Sequence, residues 1–471
     1  MWPDTAVVGL DGPPEPDPGL WVPNSPAQNT RLRGRQEHGP VGVYRHCLSV
    51  ALDIRGPVEL DLLQAAVDQV VARHEALRAV FPPEGSAHHL QPHCRVPVER
   101  QLISGPNPEA RWSAARERAQ LSAAEPFDLA HGPLIRARLL SSDRQRHLLV
   151  LAFEPLVIDA WSAAIVVDEL LGALRELAER GETAGTEAPS YAAVRVELEQ
   201  WRSGPGGLAA LERRALAAVG APPELRVGPE PDGTEADGLA HAEVELTDEA
   251  AATVAQRAAQ LRLSPFAVAL TAFDLAARAW TGQQRCAVTS TFACRESTRE
   301  EYVVGPLANQ VLLTIAPGEG TLAEQIGQMG RELRRQLADQ RVLREDVEAR
   351  EPSCRPDPRR VSVSLMFLPA ALSGAAQARM HVGETRVGRG AVSVCPTGAD
   401  VDLFVAERPP LLDAGRRPLL ALGGLSPRHR VGHAQLREIL DRWRRAFALL
   451  AESDWERTRC RDAVAALDGK E

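Results

Sequence analysis

The sequence predicts an α+β protein built from two mixed halves, and three observations carry that prediction. Short strand-like apolar runs alternate with amphipathic helical stretches on both sides of the chain's middle. A stretch rich in Gly, Glu, Thr and Pro at 179–189 separates the two halves. The length of 471 residues is that of two or three domains or of one large bilobed unit. The expected organisation is an extended, Pro-rich lead-in at 1–25, an N-terminal lobe at 26–178, a linker at 179–189 and a C-terminal lobe at 190–471.

The elements follow in order. Residues 48–52 alternate like a strand, and 60–80 carry Leu63, Ala66, Val67, Val70 and Val71 at helical spacing, closing on Arg73-His74-Glu75. Residues 93–102 read as a strand and 108–122 as a helix. Residues 133–140 and 147–153 are short apolar runs expected to pair as central strands. Residues 162–177 place Ile165, Val166, Leu170, Leu171 and Leu174 on one face of a strong helix. Beyond the linker, a helix is expected at 191–201, and Gly, Pro and acidic residues dominate 204–238 around one short helix. Helices at 247–261, 264–280 and 322–337 and strands at 286–291, 310–315, 361–367 and 401–406 follow. A helix at 434–450 closes the pattern.

Composition narrows the function. Hydrophobic residues at 44% and charged residues at 25% are enough for real cores and exclude disorder and fibrous classes. A net charge of −9 offers no basic face for a phosphate backbone, so nucleic acid is not an expected partner. The only lysine is Lys470, which removes interior Schiff-base and P-loop chemistry. Seven cysteines without a CxxC suggest reduced thiols in a cytoplasmic protein. No apolar run reaches the ~18 residues of a membrane span, so no membrane partner is expected.

Five segments, in order, resemble one family. Ser25-Pro26-Ala27-Gln28-Asn29-Thr30-Arg31-Leu32 is similar to an SxAQxRLW opening, and Arg73-His74-Glu75-Ala76-Leu77-Arg78-Ala79-Val80-Phe81 to RHExLRTxF. Phe127-Asp128-Leu129-Ala130-His131-Gly132-Pro133-Leu134 matches FDLxxGPLLR. Residues 264–282 resemble a long second-lobe helix, and Gly305-Pro306-Leu307-Ala308-Asn309 an IGxFVNT segment. The chain thereby resembles the condensation-domain superfamily of nonribosomal peptide synthetases over nearly its full length. The resemblance implies two chloramphenicol-acetyltransferase-like lobes in a V-shaped pseudo-dimer with a central tunnel. It implies no bound cofactor; the phosphopantetheine arm of a peptidyl or acyl carrier protein brings the substrate. Beginning at a methionine and with no recognisable adenylation or carrier segment, the chain is expected to be free-standing and to act in trans.

The family's HHxxxDG motif lies between a strand and a helix, and its second histidine positions or deprotonates the acceptor amine. This chain reads Glu154-Pro155-Leu156-Val157-Ile158-Asp159-Ala160-Trp161-Ser162 there. Proline cannot carry a proton, so Pro155 removes the usual chemistry. Asp159 survives, and Arg295 in Ala293-Cys294-Arg295 resembles its partner across the tunnel, a structural pair. Glu154, Asp159 and Ser162 also approach the DxxxxDxxS of heterocyclization domains. That subclass implies a second-lobe hydroxyl and carboxylate, for which Ser364 and Asp402 are the candidates, with Glu154 the acid/base candidate of the first lobe. Ala160, Trp161 and Asn309 are motif neighbours.

Two functions are therefore expected: amide or ring formation on carrier-bound thioesters, or, as the alternative, an inactive domain that recruits a tailoring enzyme or carrier protein. The remaining features read more plainly. His88-His89 with His93 and Cys94 is expected to be a solvent-facing strand entry and not a metal site. His74 is expected to be a cap or ion-pair member, Cys294 a packed thiol, and Arg359-Arg360 and 416–430 a solvated face.

Overall fold

The computed structural model describes residues 19–38, 47–83, 85–122, 125–183, 185, 187–219, 224–225, 239–283, 286–315, 318–355, 361–368, 380–382, 385–393, 399–408, 419–428 and 430–468. Most of the lead-in, Arg359-Arg360, much of 204–238 and part of 416–430 lie outside these residues.

The first half begins with β1 (Leu20–Pro23) and α1 (Pro26–His38), then β2 (Leu48–Arg55) and α2 (Leu60–Arg73). The five apolar residues picked out by their spacing form the buried face of α2. The helix stops at Arg73, seven residues short of the expected end. His74 is extended, Glu75–Arg78 form a 3-10 turn and Ala79–Val80 form β3. The Arg78 side chain caps this break by donating to the carbonyls of Val71 and Gln91. Next come β4 (Ala87–Leu90), β5 (Val98–Leu102), α3 (Pro108–Ser122), β6 (Ile135–Ser141), β7 (Arg146–Phe153) and α4 (Ala160–Arg180). Only the end of the strand expected at 93–102 forms. β7 is buried from His147 onward, as a central strand must be. α4 buries Val166, Val167, Leu170, Leu171 and Leu174 against α2, and stops at Gly181 with φ 73.

The second half contains α5 (Tyr191–Ser203), α6 (Pro205–Ala218), β8 (Glu224–Leu225), β9 (Leu239–Glu245), α7 (Asp248–Gln260), α8 (Pro265–Thr281), β10 (Cys286–Phe292), α9 (Thr298–Tyr302) and β11 (Asn309–Ile315). It continues with α10 (Leu322–Ala338), α11 (Arg344–Arg350), β12 (Val361–Leu368), β13 (Met380–Val382), β14 (Thr385–Ser393), β15 (Val401–Arg408), β16 (Leu419–Pro427), α12 (His433–Glu452) and α13 (Cys460–Asp468). Its sheet runs β11-β10-β12-β15-β16-β9, with β8 added to β12. Odd-numbered residues Val363, Leu365, Val401, Leu403 and Val405 face α8 and α12 in the second half's core, where the Trp443 indole N–H donates to Ala269 O at 3.1 Å. Even-numbered Ser364, Met366, Asp402 and Phe404 line the opposite face.

The first half's sheet is not made from the first half alone. Its order is β13-β14-β2-β7-β6-β5, so β13 and β14 leave the second half and pair antiparallel with β2, Val387 opposite Ile54. β1, β4 and β3 form a separate three-stranded sheet. His88, in its central strand, is fully buried, stacked on Phe81 with ring centroids 4.9 Å apart. The expectation of a solvent-facing histidine pair therefore fails at His88, because this small sheet covers it. No helix among the described residues is long and apolar enough to cross a membrane.

Candidate functional site

The site forms where the turn after β7 meets the N-terminus of α4 and the loop before β11. Asp159 caps α4: its Oδ1 accepts from the Ser162 N–H at 2.8 Å. Arg295 grips the same carboxylate with both ends of its guanidinium, Nη1 to Oδ2 at 2.9 Å and Nη2 to Oδ1 at 3.0 Å. Oδ2 also accepts from the backbone N–H groups of Leu307 and Ala308, each at 3.0 Å. Ser162 Oγ donates to Gly305 O at 2.9 Å and accepts from Arg295 Nη2 at 2.8 Å. The pair is buried, so each charge depends on the other. One carboxylate thus ties the first lobe's main helix to the second lobe's loop.

Tyr191 completes this junction. A Cβ on Gly305 would lie 2.3 Å from the Tyr191 ring, so only glycine lets the ring sit flat against that loop. Gln28 Nε2 donates to Leu156 O at 2.8 Å and reaches the Tyr191 hydroxyl at 3.4 Å, holding the motif turn from α1. Trp161 donates its indole N–H to Glu301 O at 2.9 Å, and its ring lies 5.7 Å from the Arg295 guanidinium carbon. Asn309 donates to the carbonyls of Gln340 and Val342 at 2.8 and 2.6 Å. Pro155 and Ala160 are half-buried.

Glu154 is fully buried, and both its oxygens are taken by cations from α1. Arg31 Nε donates to Oε1 at 2.8 Å, and Arg35 Nη1 donates to Oε2. Arg31 and Arg35 are one helical turn apart, so they project from the same face. Neither was singled out from the sequence as a site residue; their i,i+4 spacing, with Arg31 inside the opening motif and Arg35 three residues beyond it, was the available signal. Ser364 and Asp402 are brought together directly opposite one another on parallel β12 and β15. They stand in the second sheet, Glu154 at the end of the first. Ser364 Oγ is buried and makes no hydrogen bond among the described residues.

The other titratable groups near the site are structural. Burial pushes the Cys294 thiol up to about 12, and it donates to Gln340 O at 3.1 Å. His74 Nε2 meets Glu169 Oε2 at 2.7 Å. Burial, assisted by the nearby Arg195 charge, holds His88 down to about 3. Its Nδ1 meets Asn24 Oδ1 at 3.0 Å, while Nε2 is buried without a partner among the described residues. Among the described residues, no group of His, Cys, Asp and Glu is arranged to hold a metal ion.

Two α+β lobes clasped by an Asp–Arg pair at the head of a helix define the condensation-domain fold, and solved structures agree. The first condensation domain of the calcium-dependent antibiotic synthetase, in complex with a substrate analogue, superposes with a TM-score of 0.76 at 19% identity, covering 96% of this chain and 99% of that one. The X-domain from teicoplanin biosynthesis gives 0.76 at 18% identity, covering 97% and 99%. Residues 23–351 match the Condensation domain family, and the chain belongs to it. Among curated relatives it is 29% identical over 337 residues to phosphinothricin tripeptide synthetase PhsB of Streptomyces viridochromogenes, covering 66% of this chain and 27% of that protein. It is 33% identical over 160 residues to chondramide synthase cmdD of Chondromyces crocatus, covering 33% and 4%. The chain therefore spans under a third of the length of these relatives. Condensation domains work on substrates tethered to carrier proteins by phosphopantetheine, and in general form amides.

Proposed function

We propose that this chain is a condensation-type domain that has exchanged catalysis for docking, and that it recruits a carrier protein or a tailoring enzyme to a nonribosomal peptide assembly line. The observation that carries the reading is the Arg31–Glu154–Arg35 clamp. At the head of the motif, the carboxylate that could have moved a proton instead holds two guanidinium groups. The next residue, Pro155, has no proton-carrying side chain. The Asp159–Arg295 junction meanwhile keeps the scaffold intact. A structure of similar fold is the X-domain complexed with OxyB from teicoplanin biosynthesis, with a TM-score of 0.73. That likeness, although of fold alone, suits a docking role. Reduced cysteines suit a cytoplasmic setting; Cys94, Cys294 and Cys460 form no disulfide among the described residues.

The test is intact mass spectrometry of donor- and acceptor-loaded carrier proteins with and without this chain, beside a binding assay with the same carriers and neighbouring oxidases. Binding without any new amide and without loss of water is expected. A product formed only in the presence of the chain would overturn the docking reading. A second reading, ring formation, is supported by the unpartnered Ser364 hydroxyl beside Asp402. It requires loss of one water from a carrier-bound peptide, abolished by Ser364→Ala and Asp402→Asn.

A further inference from the structure

α5 and α6 meet at a sharp elbow. α5 ends at Ser203, Gly204 caps α6 and Pro205 opens it. A Cβ at Gly207 would lie 2.3 Å from Trp201 O and 2.6 Å from Arg202 O, so glycine lets the first turn of α6 close on the last carbonyls of α5. Beside the elbow lies a cavity of about 310 Å³. That is within the range of roughly 300–1,000 Å³ in which small-molecule pockets fall. Trp201, Leu208, Leu211 and Val342 form its apolar walls, and Arg202 and Asp346 supply its charged ones. Bonds between separate elements fix these walls. Arg202 binds Asp346 at 2.8 Å, which ties α5 to α11, and Asn309 Nδ2 holds the Val342 carbonyl at 2.6 Å. The cavity is therefore formed before any ligand arrives.

Charge selects what it can hold. Arg202 also binds Glu199 at 2.6 Å, so two carboxylates share one guanidinium and a single negative charge is left over. Asp346 accepts from Arg202 through Oδ1, and its Oδ2 has no hydrogen-bond partner among the described residues. Arg341, 5.9 Å from the Trp201 ring centroid, is likewise shared by Glu296 at 3.0 Å and Glu300 at 2.7 Å. The buried Arg214 of α6 offsets this second excess, and the pairs Arg213–Asp339 and Glu212–Arg350 are balanced. The negative end of the α5 dipole meets the positive end of the α6 dipole at the elbow, so the two offset each other. One uncompensated negative charge thus stands beside an indole and three aliphatic side chains. An anion is repelled there, whereas a cation gains both the carboxylate and the face of the ring.

We propose that the α5–α6 elbow is a binding site for a small arylalkylammonium ion, whose ring packs between Trp201, Leu211 and Val342 and whose ammonium group donates to Asp346 Oδ2. None of these residues belongs to the motif site around Asp159 and Arg295.

Isothermal titration calorimetry of the whole chain with 2-phenylethylammonium at pH 7 tests this. Phenylacetate and 2-phenylethanol, with the same ring on a similar short chain but opposite or no charge, are titrated in parallel. The ammonium ion is expected to bind with a dissociation constant on the order of a millimolar, as suits so small a ligand, and the other two at least tenfold more weakly. Leu208→Arg places a positive charge on an exposed side chain at the mouth and is expected to weaken binding at least tenfold. Glu199→Gln removes the excess carboxylate and is expected to weaken it several-fold. Melting followed by circular dichroism checks that both variants stay folded. Failure of the ammonium ion to bind the wild type, or equal binding of phenylacetate, would overturn the proposal. So would binding that either folded variant leaves unchanged, because the ligand would then sit elsewhere.

Discussion

Arg295→Met keeps most of the arginine's length and removes its charge, which isolates the ion pair at the lobe junction. Asp159 would lose both guanidinium bonds and keep three backbone donors, from Ser162, Leu307 and Ala308. An uncompensated buried charge of this kind costs about 3–5 kcal/mol. The three remaining amides, which stabilise the anion, place the expected loss near the lower end, at ~3 kcal/mol. Asp159→Ala leaves more groups unsatisfied. It strips the α4 cap, worth about 1 kcal/mol, and orphans the amides of Leu307 and Ala308, at about 1–3 kcal/mol for each one that stays dry. It should therefore cost more than Arg295→Met. The double variant should cost less than the sum of the two, because the second change removes a charge already stranded. Urea denaturation followed by circular dichroism measures all three. If both single variants unfold within about 0.5 kcal/mol of the parent, or if the two effects simply add, the pair does not hold the lobes together.

Glu154→Gln keeps the shape of the clamp and removes its negative charge, so the melting temperature should fall. Charge-assisted bonds are worth about 1.5–3 kcal/mol each, and an unchanged melting curve would show the clamp to be slack. His88 and Asp274 should give stability opposite slopes with pH. His88 titrates near 6.5 unfolded but about 3 folded, so its contribution is intact above 6.5 and is lost as the pH falls, by ~2 kcal/mol at pH 5. Asp274 is buried on α8 with Arg278 at 3.3 Å, and burial raises its carboxyl to about 7, so its contribution is complete below ~3.9 and is lost as the pH rises toward 7. His88→Phe and Asp274→Asn, each compared with the parent at pH 5 and 7, should remove these two slopes separately; a variant with the parent's slope would refute its assignment. The Cys294 thiol should resist iodoacetamide at pH 8 in the folded chain and react after unfolding, read by peptide mass mapping. Alkylation of the native protein there would contradict its burial.

Local signals made much of this fold legible. The spacing of Leu63 through Val71 and of Val166 through Leu174 located α2 and α4, because a helix packed on a sheet must repeat its apolar face every turn. The order of short motifs led to the family and to the Asp159–Arg295 pair. What stayed hidden depends on long-range contact. The break after Arg73 reflects Arg78 reaching two carbonyls outside its own turn, which periodicity does not encode. The burial of His88 comes from a small sheet that joins residues 20–23 to 79–90. At the site, the sequence displayed Glu154 as a lone carboxylate, and only the folded position of α1 puts two arginines on it.

The partnership of β14 with β2 also bears on how the protein is made. Val387 pairs with Ile54, more than three hundred residues earlier in the chain. On a ribosome adding about 5–20 residues per second, β2 would emerge roughly 17–67 seconds before its neighbour exists. Throughout that interval the nascent first lobe presents an open strand edge, a template for pairing with other chains. A gene fragment that stops at the linker would prolong this state indefinitely, and its product is expected to aggregate. Supplying residues 380–393 as a separate peptide should rescue its solubility.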